Sequence, residues 1–309
     1  MKYIFLIFMV LLYQNECYAC AVDGSHEDTF DEIENLQQAI TEKLLFNGAP
    51  EEQFENASCR ASAIPDVNAY LQEIDSDRSD KRVKNFRFEN EPKVLVDAFK
   101  DMVPRYNGHP QSSCTTVLCA VDEIWGAELG RKLLYMKIHH GYNGSEHAYT
   151  RAIQFTVPQI DKVLLALGDL PPEYEKIGRD GNQRLTVSPV GDVSSGNSAA
   201  AADATIKLYD VWKNHTNYTQ QYTLFHEFAH NIGSLNRRID QSSEWRRLSR
   251  ECEVSEYGNT NQREDFAETV MAYRYNSRHL KRKCPEKYEI LKTRIFSGRE
   301  YIDPASCER

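Results

Sequence analysis

The residues with the clearest chemical content are His226, Glu227 and His230, within the pentapeptide HEFAH. Four apart on a helix, the two imidazoles project from one face and can reach a single Zn²⁺. Glu227 adjoins the first of them and can take a proton from a water that the metal acidifies. With nine His in 309 residues, HExxH arises by chance in about one such chain in fifty, so the flanks must decide. They favour a metal helix. Leu224, Phe225, Phe228, Ala229 and Ile232 supply an apolar surround, and Gly233 offers a helix stop. A tetrahedral catalytic zinc takes three protein ligands and leaves one position open. A third His six residues beyond His230 would complete one common solution, but Asn236 stands there.

A carboxylate is the better third ligand. From Glu264 onward the pattern is helical, with Phe266, Ala267, Val270, Met271 and Tyr273 on an apolar face. Glu264 and Glu268 share a face one turn apart, so one can ligate the metal while the other orients a ligand from behind. A solvated acidic first turn, which the helix dipole favours, would leave the same pattern.

The segment EYGNTNQREDFAE resembles the region after the HExxH helix in gluzincin metallopeptidases of the anthrax lethal factor catalytic-domain family. There a Tyr-Gly is followed, seven residues after the Tyr, by the glutamate ligand of an ExFAE motif. The resemblance implies a zinc site of His226, His230 and Glu264, with Glu227 as general base and Tyr257 as the donor to the oxyanion. Glu268 then orients His230 or His226 from behind. The likeness runs over roughly residues 150 to 280 and is specific at the two motifs. Asp265 stands where the family has an apolar residue and competes with Glu264 as ligand. The family's bulky substrate-recruiting domains have no counterpart, so its known substrates do not transfer.

The elements that must position these groups follow from periodicity. A helix is expected over Asp28 to Leu45, closed by Asn47-Gly48-Ala49-Pro50, another from Lys93 to Met102, and a long one from Ala120 to His139. The loop from His140 to Ser145 marks a domain border. Thr156 and Pro158 then open a helix that ends at Gly168. Arg184 to Pro189 is expected as a strand, 190 to 203 as a mobile loop, and Ala204 to Lys213 as the edge strand of a small sheet. Such an edge can pair with an extended substrate backbone. The fold class expected is α+β, predominantly helical: a zincin-like catalytic domain over 149–309, with a small sheet and the HExxH helix, preceded by a helical N-terminal region over 22–148.

Composition narrows the partners. A chain of 309 residues that is 41% hydrophobic and 11% aromatic has ample core. A net charge of −9 speaks against nucleic acid or anionic membrane as a general partner. The basic run Arg278 to Lys283 reads as a solvated helix end. Lys2 followed by an apolar stretch to Tyr13, then polar and small residues, has the layout of a signal peptide over 1–21, too short to span a bilayer. Lipid attachment at Cys20 is disfavoured because Cys17 occupies the −3 position. Removing the leader leaves six cysteines, enough for three disulfides in an exported protein. Spacing suggests Cys114–Cys119 and Cys284–Cys307, leaving Cys59 for Cys252. His139, His140 and His147 read as surface residues, since neighbouring histidines point to different helix faces.

The function expected is therefore an exported zinc-dependent endopeptidase, with one Zn²⁺ per chain and a protein or peptide substrate. Rival readings are a non-enzymatic exported binding or structural protein with a vestigial zinc site, and a zinc amidase acting on cell-wall peptides. A structural zinc site needs neither a base nor an oxyanion donor, yet Glu227 and Tyr257 stand at the spacing the resemblance requires.

Overall fold

The structure is a computed structural model that describes residues 64–77, 82–83, 88, 90–103, 113–144, 155–171, 174, 183–187, 199–202, 205–214, 217–235 and 238–302. All fall within one compact unit, Phe46–Arg309. The leader, the helix expected over Asp28 to Leu45, and His147 lie outside the described residues.

The fold is predominantly helical α+β. Helix α1 (Val67–Ser76) is followed by a two-residue pair, β1 (Arg82–Val83) and β2 (Glu91–Pro92), then α2 (Lys93–Met102), α3 (Val117–Trp125) and α4 (Ala127–His140). Next come β3 (Tyr142–Gly144), α5 (Val157–Gly168), β4 (Gln183–Val187), β5 (Ala199–Ala202) and β6 (Thr205–Leu208). The remainder is helical: α6 (Asp210–Lys213), α7 (Asn217–Leu235), α8 (Ser243–Glu251), α9 (Gln262–Tyr275), α10 (Ser277–Lys283) and α11 (Pro285–Arg294). Short 3₁₀ turns at Ile239–Gln241 and Gly258–Thr260 precede α8 and α9.

The sheet has the order β3-β4-β6-β5. β3 and β6 run parallel to β4, whereas β5 runs antiparallel to β6, with Ala199 opposite Leu208 and Ala202 opposite Thr205. This corrects the sequence reading in one place. The strand after Ala204 is only Thr205–Leu208, lies inside the sheet, and gives way to α6, where Trp212 is buried. The edge is instead Ala199–Ala202, part of the stretch expected to be a loop. Its small residues carry little periodic signal.

Other elements form where the sequence predicts them. α2 has the limits that its amphipathic spacing predicts. α5 opens with a capping box between Thr156 and Gln159, with Pro158 in its first turn. The long helix over Ala120 to His139 is two helices, because Gly126 at φ 81° breaks the backbone between them. Of the expected disulfides, Cys114–Cys119 forms. Cys252 and Cys284 pair with each other, their Cα atoms 5.7 Å apart, which overturns Cys59–Cys252 and Cys284–Cys307. The pairing follows from packing: Cys252 caps α8, and Cys284 is the single residue between α10 and α11. Two disulfides fit an oxidising compartment. Among the described residues no helix is long and apolar enough to cross a membrane.

Helix α7 is the spine. Leu224, Phe225, Phe228, Ala229 and Ile232 are fully buried, against α5, β5 and α9. Each of the larger ones contributes about 1.5–3 kcal/mol by leaving water. α9 is buried from Asp265 through Tyr275, so it is a central helix, enclosed on more than the one apolar face read from its sequence. Gly233 does not stop α7; it lies inside it. A Cβ there would stand 3.0 Å from Asp240 Cβ and 3.1 Å from Phe266 Cε1, so glycine is what lets the 3₁₀ turn and α9 close on α7. Gly233→Val is expected to destabilise the fold by about 1–3 kcal/mol through overpacking. Thermal unfolding measures this, and an unchanged Tm would show that the contact yields freely.

Candidate metal centre

Two helices bring the chemistry together. α7 presents His226 and His230 one turn apart, and α9 presents Glu264 and Glu268 one turn apart, facing them. Local signals set both. Asn261 caps α9, its Oδ1 accepting from the backbone N–H of Arg263 at 3.0 Å and of Glu264 at 3.2 Å, which places Glu264 in the first turn. Gln220 in α7 accepts from Trp212 Nε1 through its carbonyl (2.9 Å) and donates to the Trp212 carbonyl (3.1 Å), fixing the entry to the helix.

Asp169, which caps the end of α5, ties that helix to α7 and α9. Its carboxylate accepts from Gln221 Nε2 of α7 (3.0 Å), Tyr275 OH (2.8 Å) and Arg274 Nη2 (2.6 Å) of α9. This buried knot went unread in the sequence. Asp169, Gln221 and the Arg274–Tyr275 pair each lie more than fifty residues from the next along the chain, so no local pattern could reveal it.

At the site, Glu264 Oε2 is 3.0 Å from His226 Nε2 and 3.3 Å from His230 Nε2. One ligand atom from each of the three residues falls within 4.8 Å of the others, the one such group of His, Cys, Asp and Glu among the described residues. Two ligands ~2.0 Å from a tetrahedral Zn²⁺ stand about 3.3 Å apart, so the spacing suits that ion. The donor chemistry agrees. His226 Nδ1 faces Glu268 Oε1 at 2.7 Å while its Nε2 faces Glu264. Both ring nitrogens thus meet carboxylates, an arrangement that a doubly protonated ring satisfies and that equally suits a cation at Nε2 with the remaining proton on Nδ1.

The electrostatics point the same way. Burial disfavours the His226 cation, yet the hydrogen bonds to Glu264 and Glu268 and the charges of Glu268 and Glu227 raise its pKa to about 10. Burial likewise opposes charge on Glu264, but the hydrogen bonds and charge of His226 and His230 hold it well below the usual carboxylate range. Glu264, Glu268 and Glu227 thus favour a positive charge at His226.

Glu227 is buried on α7, its charge felt by both His226 and Tyr257. Tyr257 stands 46% exposed at the rim, its ring 5.7 Å from that of His226. Burial of its hydroxyl, with the charges of Glu264, Glu227 and Glu268, pushes its pKa to about 12, so it stays a donor at neutral pH.

Asp265 is not in this group. Its carboxylate turns away and pairs with Lys287 of α11, both essentially inaccessible to water. The ambiguity left by adjacent acidic residues is resolved by the helix: neighbours on α9 point a hundred degrees or so apart. Ser255, absent from the sequence reading, is at the site, donating to Glu268 Oε2 at 2.7 Å. His140, expected at the surface, is buried against the ring of Tyr135, and with His139 it joins no metal-binding group among the described residues.

No protein-family profile matches the chain, and no curated protein is significantly similar to it.

Proposed function

We propose that this chain is an exported zinc-dependent endopeptidase of the zincin type, resembling the gluzincins. The observation that carries the reading is the convergence of His226, His230 and Glu264, backed by Glu268 and flanked by Glu227 and Tyr257. A structural zinc site requires only the ligands. A buried carboxylate next to a ligand and a partly exposed phenol at the rim are what hydrolysis requires in addition.

His226, His230 and Glu264 would hold the metal. Zn²⁺, when bound, supplies Lewis-acid polarisation of the scissile carbonyl and brings the pKa of a water toward neutrality. Glu227 takes the proton of the attacking water and returns it to the leaving amine. The Tyr257 hydroxyl donates to the carbonyl oxygen as negative charge develops there. Glu268 holds His226 with its proton on Nδ1, keeping Nε2 as a lone-pair donor.

The sheet supports internal cleavage. β5 packs on α7, and its outer edge carries no strand among the described residues. An extended peptide paired along that edge would present a bond in the middle of the substrate, not at an end. The reading is tested by incubating the full chain with a mixed peptide library, with and without a chelator. Chelator-sensitive internal cleavage is expected. Cleavage of cell-wall peptides alone would turn the reading to an amidase, and no cleavage of either would favour a binding role.

Tyr257→Phe is expected to lower kcat about 10²- to 10³-fold, as removal of one oxyanion donor does, with KM and zinc content near those of the parent. The ring is half exposed, so the Phe variant should unfold at the parent's temperature. A kcat within about threefold of the parent would remove Tyr257 from the mechanism.

A further inference from the structure

We infer that Ser255 is a positioning residue of this metal centre: one hydroxyl orients His226 through Glu268 and also pins the segment that carries Tyr257. The inference rests on the zinc reading above and adds to it a residue outside both motifs.

The hydrogen-bond directions follow from donor inventory. Ser255 Oγ lies 2.9 Å from the backbone N of Gly258 and 2.7 Å from Glu268 Oε2. An N–H can only donate, so the oxygen accepts there, and its single proton goes to the carboxylate. The other carboxylate oxygen, Oε1, takes the His226 Nδ1 contact at 2.7 Å. Ser255 is 2% exposed and Glu268 3%, so the bonds lie in a region of low dielectric, where charge-assisted contacts are strong. The relay thus links the Gly258 amide, Ser255, Glu268 and His226: the two Ser255 bonds have fixed directions, and His226 Nδ1 donates the third when Glu268 is ionised.

The same oxygen closes the turn over 255–258, with Tyr257 inside it. That segment is held on its upstream side by the Cys252–Cys284 disulfide and by Val254, which is 1% exposed. Downstream it runs into the 3₁₀ turn Gly258–Thr260 and the Asn261 cap. Ser255 is the point where the backbone next to the oxyanion donor and the carboxylate behind a metal ligand share one atom. A residue that only closed a turn would need the Gly258 bond and not the Glu268 bond.

The test uses the full chain and Zn²⁺ alone as probe, with affinity measured by chelator competition and Tm measured on the metal-free protein. Ser255→Ala should weaken zinc binding about 10- to 100-fold, the usual loss for a partner behind a ligand. Ser255→Thr, which keeps the hydroxyl, should stay within about threefold of the parent. In a Glu268→Ala background, Ser255→Ala should cost almost nothing further, because the relay is already cut. Full zinc affinity in Ser255→Ala with only a lowered Tm would overturn the inference, as would losses that multiply in the double variant. If Ser255→Ala does not fold, Ser255→Cys, close in size but a weak donor, carries the same comparison. A parent chain that binds no zinc overturns the zinc reading itself, and this inference with it.

Discussion

Glu227→Gln is expected to retain one zinc per chain while kcat falls about 10²- to 10⁴-fold, the usual contribution of a positioned general base. The substitution is nearly isosteric, so the buried position beside His226 stays filled. The proposed ligands His226, His230 and Glu264 and the proposed support Glu268 are untouched. What disappears is the capacity to take a proton, because an amide oxygen is far too weak a base at neutral pH. Zinc after dialysis and turnover on a peptide cleaved by the parent give the two readouts. Turnover near the parent's, with metal retained, would mean that another group does the proton transfer. Loss of metal would mean that Glu227 belongs to the ligand set.

Local chemistry was legible and distant packing was not. The HExxH spacing and the Glu264–Glu268 spacing each describe one helix, and helical geometry is dictated by residues a turn apart. The caps at Thr156 and Asn261 act over three residues and could be read or found the same way. Gly126 was invisible because apolar spacing continues through it on both sides. Only its positive φ divides α3 from α4. The edge strand was misplaced because a run of alanines carries neither an alternating nor a helical pattern, so pairing with β6 decides its conformation. Ser255 was missed for a similar reason. A serine near a motif is common, and what distinguishes this one is a carboxylate thirteen residues away brought to its hydroxyl by the packing of α9. The second disulfide shows the limit of spacing arguments: thirty-two residues separate Cys252 from Cys284, and α8, α10 and α11 bring them together.

Glu264 and Asp265 are adjacent in sequence, yet their removal should fail in opposite ways. Glu264→Ala removes one proposed ligand from a site whose remaining members are two histidines. Zinc affinity should fall by more than about 100-fold, beyond the loss expected of a supporting residue. The fold should persist, since Glu264 is partly exposed and sits at the first turn of α9. Asp265→Ala instead leaves Lys287 fully buried without its carboxylate partner. Burial already lowers the Lys287 pKa, against the pull of Asp265, so removing that pull leaves a desolvated amine deep in the core. Breaking a buried pair from one side costs about 3–5 kcal/mol, and the variant should unfold at a clearly lower temperature. Replacing both partners by apolar residues removes the stranded charge, so Asp265→Leu with Lys287→Met should recover most of that loss. The double variant then isolates the question of ligation: it should bind zinc like the parent, because Asp265 pairs with Lys287 and lies outside the group of His226, His230 and Glu264. Zinc retained by Glu264→Ala and lost from a folded Asp265→Leu/Lys287→Met chain would transfer the third ligand to Asp265.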